Sequence, residues 1–136
     1  MHPRASWLLL LALLVLPPLT LCAAAQECNI VPVRGLVPQE LVSFDDEVIT
    51  VTATPVGFTP SKIVQAAGTA VRAFVQVQDA SITFRLSGGT PTATATITVV
   101  SLDHFVICGA TDIANFLAVR TTGTNGTLRV IYSRVK

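Results

Sequence analysis

Three side chains that could support nucleophilic chemistry stand close together in the last third of the chain. Asp103 and His104 precede Cys108 in the segment SLDHFVICG. A thiol beside a histidine base is the pattern of a cysteine nucleophile, but residues four apart on an extended strand lie about 13 Å apart. We therefore interpret Cys108 as a core thiol beside an edge histidine, and we predict that the protein is not an enzyme.

Candidate metal and phosphate ligands are sparse. The acidic run Asp45, Asp46 and Glu47 could contribute oxygen ligands to a calcium site, but it lacks the spacing and the glycine of an EF-hand loop. A solvated turn before a strand is the simpler interpretation. The segment SGGTPT at 87–92 has glycines without a following lysine, which indicates a turn and not a phosphate-binding loop. The sequence predicts no metal and no cofactor.

The first 25 residues resemble a signal peptide. His2 and Arg4 precede a long apolar run, and Ala23 and Ala25 stand where a signal peptidase requires small residues. We predict a signal-peptide-like helix over 1–25 and cleavage before Gln26. A signal anchor is the alternative, because the run approaches the length that spans a bilayer. The only membrane contact that we expect is through this segment, if it stays uncleaved.

Composition after the predicted cleavage excludes several kinds of partner. Residues 26–136 hold eight Lys and Arg against eight Asp and Glu, so nothing favours binding to nucleic acid or to an anionic membrane. The two cysteines that remain, Cys28 and Cys108, suit an exported chain. If they pair, the loop of about 80 residues would stabilise the fold by roughly 4–5 kcal/mol. Two unpaired thiols are the alternative, and the predicted location is secreted or extracytoplasmic.

Period-2 alternation runs along most of the chain and predicts an all-β fold. In the segment PTATATITVV at 91–100, threonines alternate with Ala93, Ala95, Ile97 and Val99, which predicts a central strand with both alanines facing inward. Predicted strands also cover 47–54, 70–78, 82–86, 104–108, 116–122 and 128–132. Short turns are expected around Pro60–Gln65 and after Thr111 or Asp112, and the six phenylalanines are expected in the core.

The spacing of these strands predicts a single β-sandwich or small barrel of about seven to eight mostly antiparallel strands. It would occupy residues 47–136, after an N-terminal arm or edge strand over 26–46, where prolines interrupt the pattern. Asn125 and Gly126 favour positive backbone dihedrals, which predicts a hairpin joining the last two strands.

Three segments carry a resemblance to a known group of proteins. They are VGFTPSKI at 56–63, AVRAFVQVQDASITFRLSGGTPTAT at 70–94 and DIANFLAVRTTGTNGTLRVIYSR at 112–134. The chain resembles small β-rich virion structural proteins, head or tail accessory proteins, of tailed bacteriophages. That group shows an aromatic-Arg strand, here Phe84 and Arg85, a Gly-Thr-x-Pro-Thr-Ala turn, here Gly89 to Ala93, and a closing hairpin, here starting at Phe116.

The resemblance implies a non-enzymatic structural or adhesive β-domain that acts through its surface and edge strands. A protein partner or self-association is the implied interaction, and the implied location is the virion. Phage virion proteins need no signal peptide, so either the domain was recruited for export or the chain is a viral product with an atypical N-terminal segment. The alternative function is an extracytoplasmic ligand-binding module of a bacterial secreted protein, with its small-molecule ligand unknown.

Overall fold

The computed structural model describes residues 40–92 and 96–136. The predicted signal peptide and Cys28 lie outside the described residues. So do Ala93 and Ala95, and their inward orientation stays a prediction. The strands are β1 (Leu41–Val51), β2 (Val64–Gln65), β3 (Gly68–Thr69), β4 (Arg72–Gln78), β5 (Ile82–Arg85), β6 (Ile97–Val99), β7 (His104–Cys108), β8 (Leu117–Arg120) and β9 (Gly126–Val135), and the helices are α1 (Pro60–Ile63) and α2 (Ala110–Ala114).

These strands form three antiparallel sheets. The largest has the order β1-β9-β4-β7, the second has the order β6-β5-β8, and β2 pairs with β3 in a small hairpin. The predicted all-β class is confirmed for the described residues. The sheets there are open, with β1 and β7 at the edges of one and β6 and β8 at the edges of the other, so the small-barrel alternative is wrong for this part of the chain.

Both larger sheets contribute to one buried core. In β4, Ala73, Val75 and Val77 are fully buried while the alternate positions are partly exposed, as the alternation predicts. Aromatic rings fill the middle of the core. The rings of Phe58 and Phe116 stack with their centroids 4.1 Å apart, and those of Phe84 in β5 and Phe105 in β7 stack at 4.5 Å. The Phe84–Phe105 stack therefore joins the two sheets directly.

Strand β1 begins earlier than predicted, at Leu41 instead of Glu47. It pairs with β9 along its whole length, and the pairing shifts between Ser43 and Asp45. The acidic run thus lies within a strand, beside a β-bulge, and the expected solvated turn is wrong. Ten consecutive partners in β9 hold this segment extended, a long-range pairing that local alternation does not reveal.

The predicted hairpin at Asn125–Gly126 is also wrong. Strand β8 pairs with β5 and β9 lies between β1 and β4, so residues 121–125 cross from one sheet to the other. Neither Asn125 nor Gly126 has a positive φ. The Arg120 guanidinium holds the crossing, since its Nη1 donates to Gly123 O at 2.8 Å and to Asn125 Oδ1 at 2.9 Å.

Gly126 is needed for space at this crossing. A Cβ there would meet Ile82 Cγ2 at 2.8 Å and Ala80 O at 2.9 Å. We expect Gly126→Ala to lower the free energy of unfolding by about 1–3 kcal/mol, because neighbouring backbone must move. Denaturant unfolding measures this effect. Gly123→Ala, where a Cβ would meet nothing within 4 Å, is the control, and equal losses in both variants would contradict the packing argument.

The strand at the end of the Thr/Ala alternation has a different place in its sheet from the predicted one. Strand β6 covers only Ile97–Val99. Among residues 40–92 and 96–136 it pairs with β5 alone, so within the described residues it is an edge strand and not a central one. Helix α2 forms the single turn expected near Asn115, but it begins at Ala110 after Gly109, with neither Thr111 nor Asp112 as the cap.

Candidate functional site: the exposed edge at strand β6

Strand β6 and the turn after it carry three large apolar side chains in solvent. Ile97 is 56% exposed, Val100 is 59% exposed and Leu102 is 78% exposed. We call these three residues the β6 edge patch. Since no other described strand pairs with the outer side of β6, the backbone groups there can pair with another chain. An apolar patch beside an unpaired strand edge is typical of a protein interaction surface.

The turn that presents Leu102 has an unusual backbone. Leu102 has a φ of 70°, in the left-handed region that costs an L-residue with a bulky side chain roughly 1–2 kcal/mol. The Asp103 N–H donates to Val100 O at 3.3 Å, which closes the turn. Strand β4 holds this geometry, since Leu102 N–H donates to Val77 O at 2.9 Å and Val77 N–H donates to Asp103 O at 2.8 Å.

Leu102 combines a strained backbone with an exposed apolar side chain, which indicates a role in binding and not in stability. Leu102 has little contact to offset its backbone cost, because most of its surface is in water. Strained residues persist where the surrounding structure over-determines them, and they concentrate at functional sites. The turn at 100–103 is therefore the strongest candidate for contact with a partner.

The strain at Leu102 predicts a gain in stability on substitution. We expect Leu102→Asn to raise the free energy of unfolding by about 0.5–1 kcal/mol, because asparagine tolerates a positive φ better than leucine does. Thermal and denaturant unfolding measure the gain. Ser101→Asn, at the neighbouring position where φ is not positive, is the matched control. A loss of stability in Leu102→Asn would show that the leucine side chain contributes to the isolated fold.

Next to the patch, a groove lies along strands β5 and β6 of the three-stranded sheet. Phe84, Leu86 and Ile97 line it, together with the Arg85 side chain, and its volume is about 450 Å³. Ile97 stands opposite Phe84 in the β5–β6 pairing, so the two side chains share one face. The groove extends the apolar surface of the β6 edge patch toward the core.

The three acidic side chains at 45–47 lie on both faces of β1, because neighbouring residues of a strand point to opposite sides. Asp45 and Glu47 face the segment that contains α1, whereas Asp46 is on the opposite, exposed face. Asp45 Oδ1 accepts a hydrogen bond from Lys62 Nζ at 2.7 Å, and its other oxygen accepts from Gln65 Nε2. The hydrogen bond and charge of Lys62 lower the pKa of Asp45 below its ordinary value.

The Glu47 carboxylate also accepts two hydrogen bonds. Its Oε1 accepts the backbone N–H of Thr59 at 3.1 Å and the hydroxyl of Tyr132. Burial of the phenol and the Glu47 carboxylate raise the pKa of Tyr132 far above its ordinary value. These contacts attach the loop before α1 to strands β1 and β9. Within residues 40–92 and 96–136, there is no group of three or more His, Cys, Asp and Glu that could hold a metal ion.

Of the possible thiol site, His104 and Cys108 are the two ends of β7 and Asp103 directly precedes it. The His104 ring packs 5.4 Å from the Phe74 ring, and Asp103 Oδ1 accepts the backbone N–H of His104 at 2.7 Å. Cys108 ends the strand and is exposed, so the expected core thiol is wrong. Its predicted partner Cys28 lies outside the described residues, and the Cys28–Cys108 disulfide stays a prediction.

The loops at 57–68, 87–91 and 123–126 lie near two opposite ends of β8. The segments 57–68 and 87–91 both lie beside the residues that precede β8, since Gly57 approaches Phe116 O and Gly88 N–H donates to Asn115 O at 3.0 Å. Residues 123–126 follow the opposite end of β8. The β6 edge patch was not predicted from the sequence, because alternation marks a strand without telling whether it has one neighbour or two.

Comparisons with known proteins found no relative of this chain. No family model, no curated protein and no solved structure matches the chain. In the part of the chain that the structure describes, no helix is both long and apolar enough to cross a membrane.

Proposed function

We propose that the protein is a non-enzymatic structural or adhesive β-domain that acts through surface and edge-strand interactions, similar to a phage virion accessory protein. Its two larger sheets are the layers of a β-sandwich. The observation that carries the proposal is the β6 edge patch: Ile97 in β6 and Val100 and Leu102 directly after it are exposed, and among the described strands only β5 pairs with β6. The partner is a protein or a second copy of this chain.

The mechanism is addition of a strand to the three-stranded sheet. An incoming extended segment would pair with the backbone groups of β6 that face away from β5, and its apolar side chains would cover the patch. The strained turn at Leu102 would present a side chain without further ordering, which lowers the entropic cost of association. Strand β8 is less suited to this role, because Val56 already bridges to Ala118 on its outer side.

Placing charged residues in the β6 edge patch tests whether the patch binds a partner. The full chain is assayed for self-association by sedimentation over a range of concentrations, and for co-sedimentation with cells, envelope fractions and virions. We expect the wild type to associate and the double variant Val100→Asp with Leu102→Asp to weaken association at least about tenfold, since each buried apolar side chain contributes about 1.5–3 kcal/mol. Val64→Asp is the control, because Val64 is 61% exposed away from β6.

Two outcomes would overturn the proposal. In the first, the wild-type protein stays monomeric and binds none of these fractions. In the second, the patch variant binds as tightly as the wild type, which places the interaction outside the β6 edge patch. The genes that neighbour this one distinguish a virion protein from an exported module. Terminase, portal and capsid genes would favour the virion, and secretion or envelope genes would favour an exported module.

A further inference from the structure

We propose that two copies of this chain form a dimer through β6, which pairs antiparallel with β6 of the second copy about a two-fold axis at Thr98. The two three-stranded sheets would then join into one continuous sheet with the strand order β8-β5-β6-β6-β5-β8. This inference rests on the proposed function, because it names the partner that the β6 edge patch binds.

The chain around β6 carries no charge that would repel a second copy of itself. Residues 86–102 contain no Asp, Glu, Lys or Arg, and residues 96–102 also lack proline and glycine. Proteins usually hinder pairing between edge strands with charged residues, prolines or bulges. Strand β1 has such features, since Asp46 is exposed and the pairing shifts between Ser43 and Asp45. The sequence of β6 has none of them, which favours pairing with its own copy.

A two-fold axis at Thr98 gives favourable side-chain pairs along the whole of β6. Residues directly opposite each other in antiparallel strands share a face of the sheet. Thr98 would therefore lie opposite Thr98 of the second copy, and Ile97 would lie opposite its Val99. Pairs of β-branched side chains and pairs of threonine hydroxyls are among the cross-strand contacts that stabilise sheets. This pairing covers Ile97, which is 56% exposed in the single chain.

The groove and the strained turn lie at opposite ends of β6. Phe84, Leu86 and Ile97 line the groove where β6 begins, and Leu102 lies in the turn that follows the last residue of β6. A two-fold axis reverses the direction of β6 in the second copy, so the turn at 100–103 of each copy lies at the groove of the other. The exposed Leu102 and the groove are therefore parts of one self-complementary surface.

Opposite charges at the two ends of β6 match in the same arrangement. Arg85 lines the groove, whereas Asp103 follows Leu102 at the other end, and the Asp103 side chain is 57% exposed. In the dimer, Asp103 of each copy approaches Arg85 of the other, which gives two attractive pairs. A parallel arrangement of two copies would instead place Arg85 beside Arg85 and Asp103 beside Asp103. Charge complementarity therefore favours the antiparallel dimer.

The short length of β6 determines where the dimer is most sensitive to substitution. The strand has three residues, so backbone pairing between the two copies supplies few hydrogen bonds. The contacts of each turn with the groove of the other copy must then contribute much of the association. Substitutions at the two ends of β6 are therefore the sharpest test of the dimer.

Exchanging the charges at Arg85 and Asp103 tests the arrangement. Sedimentation of the full chain over a range of concentrations should show a monomer–dimer equilibrium. We expect Arg85→Glu and Asp103→Lys each to raise the dimer dissociation constant about tenfold, because each brings like charges together twice in the dimer. An equimolar mixture of the two single variants should dimerise as tightly as the wild type, since opposite charges then meet between copies. Arg129→Glu, a charge reversal on an exposed residue of the other sheet, is the control and should change nothing.

A cysteine on the two-fold axis tests the register. Position 98 lies opposite itself in the dimer, with Cα atoms about 4.5–5.5 Å apart, which is within the range of a disulfide. Under mild oxidation, Thr98→Cys should therefore give a covalent dimer on non-reducing electrophoresis, in excess of any that the wild-type chain gives. Val100→Cys is the matched control, because in this register Val100 lies opposite Thr96 of the second copy and not opposite itself.

Three results would overturn the inference while leaving the proposed function in place. A wild-type chain that stays monomeric, yet binds cells, envelope fractions or virions through the β6 edge patch, assigns the patch to another protein. A mixture of Arg85→Glu and Asp103→Lys that associates no more tightly than either variant alone shows that these residues do not meet between copies. Cross-linking by Val100→Cys and not by Thr98→Cys excludes the two-fold axis at Thr98. A chain that neither dimerises nor binds any of these fractions overturns the proposed function as well.

Discussion

Replacing Phe116 by alanine is expected to lower the free energy of unfolding by about 3–5 kcal/mol. Phe116 is 1% exposed, and its ring stacks on Phe58 with centroids 4.1 Å apart and contacts Phe84 at 5.4 Å. The truncation would leave a cavity where rings from the loop before α1, from β5 and from the residue before β8 meet. Because the surrounding strands are paired on both sheets, they can collapse only partly into the space.

Denaturant unfolding measures this loss, and Phe116→Leu is the matched variant. It keeps an apolar side chain of similar reach, so we expect it to cost less than half as much as alanine. Phe44 offers a comparison outside the ring cluster, because it is only partly buried. A Phe44→Ala variant as destabilised as Phe116→Ala would contradict the central place that we assign to the Phe58–Phe116 stack.

Alkaline pH is expected to destabilise the protein through Tyr132. The phenol is fully buried, and desolvation together with the Glu47 carboxylate raises its folded-state pKa far above the ordinary value of 10.0. Below pH 10 the phenol is neutral in both states, so this contribution to stability is complete. Above pH 10 the unfolded chain releases the proton and the folded chain keeps it, so stability falls by about 1.4 kcal/mol per pH unit.

Two measurements check this slope. Tyr132 is the only tyrosine of the chain, so phenolate absorbance in the near ultraviolet reports it alone. We expect this absorbance to appear only as the protein unfolds. Tyr132→Phe should lose about 1–2 kcal/mol at neutral pH, from the missing hydrogen bond to Glu47, and should lack the additional alkaline slope. Phenolate absorbance in the folded protein near pH 10 would contradict the burial argument.

The strand content and the faces of individual strands could be predicted from the sequence. In β4, the alternation around Ala73, Val75 and Val77 identifies the buried face, because neighbouring residues of a strand point to opposite sides. The same reasoning identifies β7 and favours a strand at Leu117–Arg120 over a helix. These features are local, since they depend on a few consecutive residues.

The candidate site could not be predicted in the same way. The Thr/Ala alternation predicted a strand but not its place in a sheet. Among the described strands only β5 pairs with β6, which makes β6 an edge there. The strain at Leu102 arises from hydrogen bonds to Val77, which is 25 residues away in sequence and belongs to the other sheet. Likewise, Asn125–Gly126 resembles a hairpin turn, yet the chain crosses between sheets there.

The sequence by itself therefore determined that this protein is built of strands around an apolar core, and it predicted an exported chain without a catalytic set. Only the tertiary structure decided which strands are edges, where apolar side chains stay in solvent, and which carboxylates are bound. The physical reason is that alternation reports solvent on one side of a strand, whereas strand order depends on long-range pairing that burial and backbone hydrogen bonds select together.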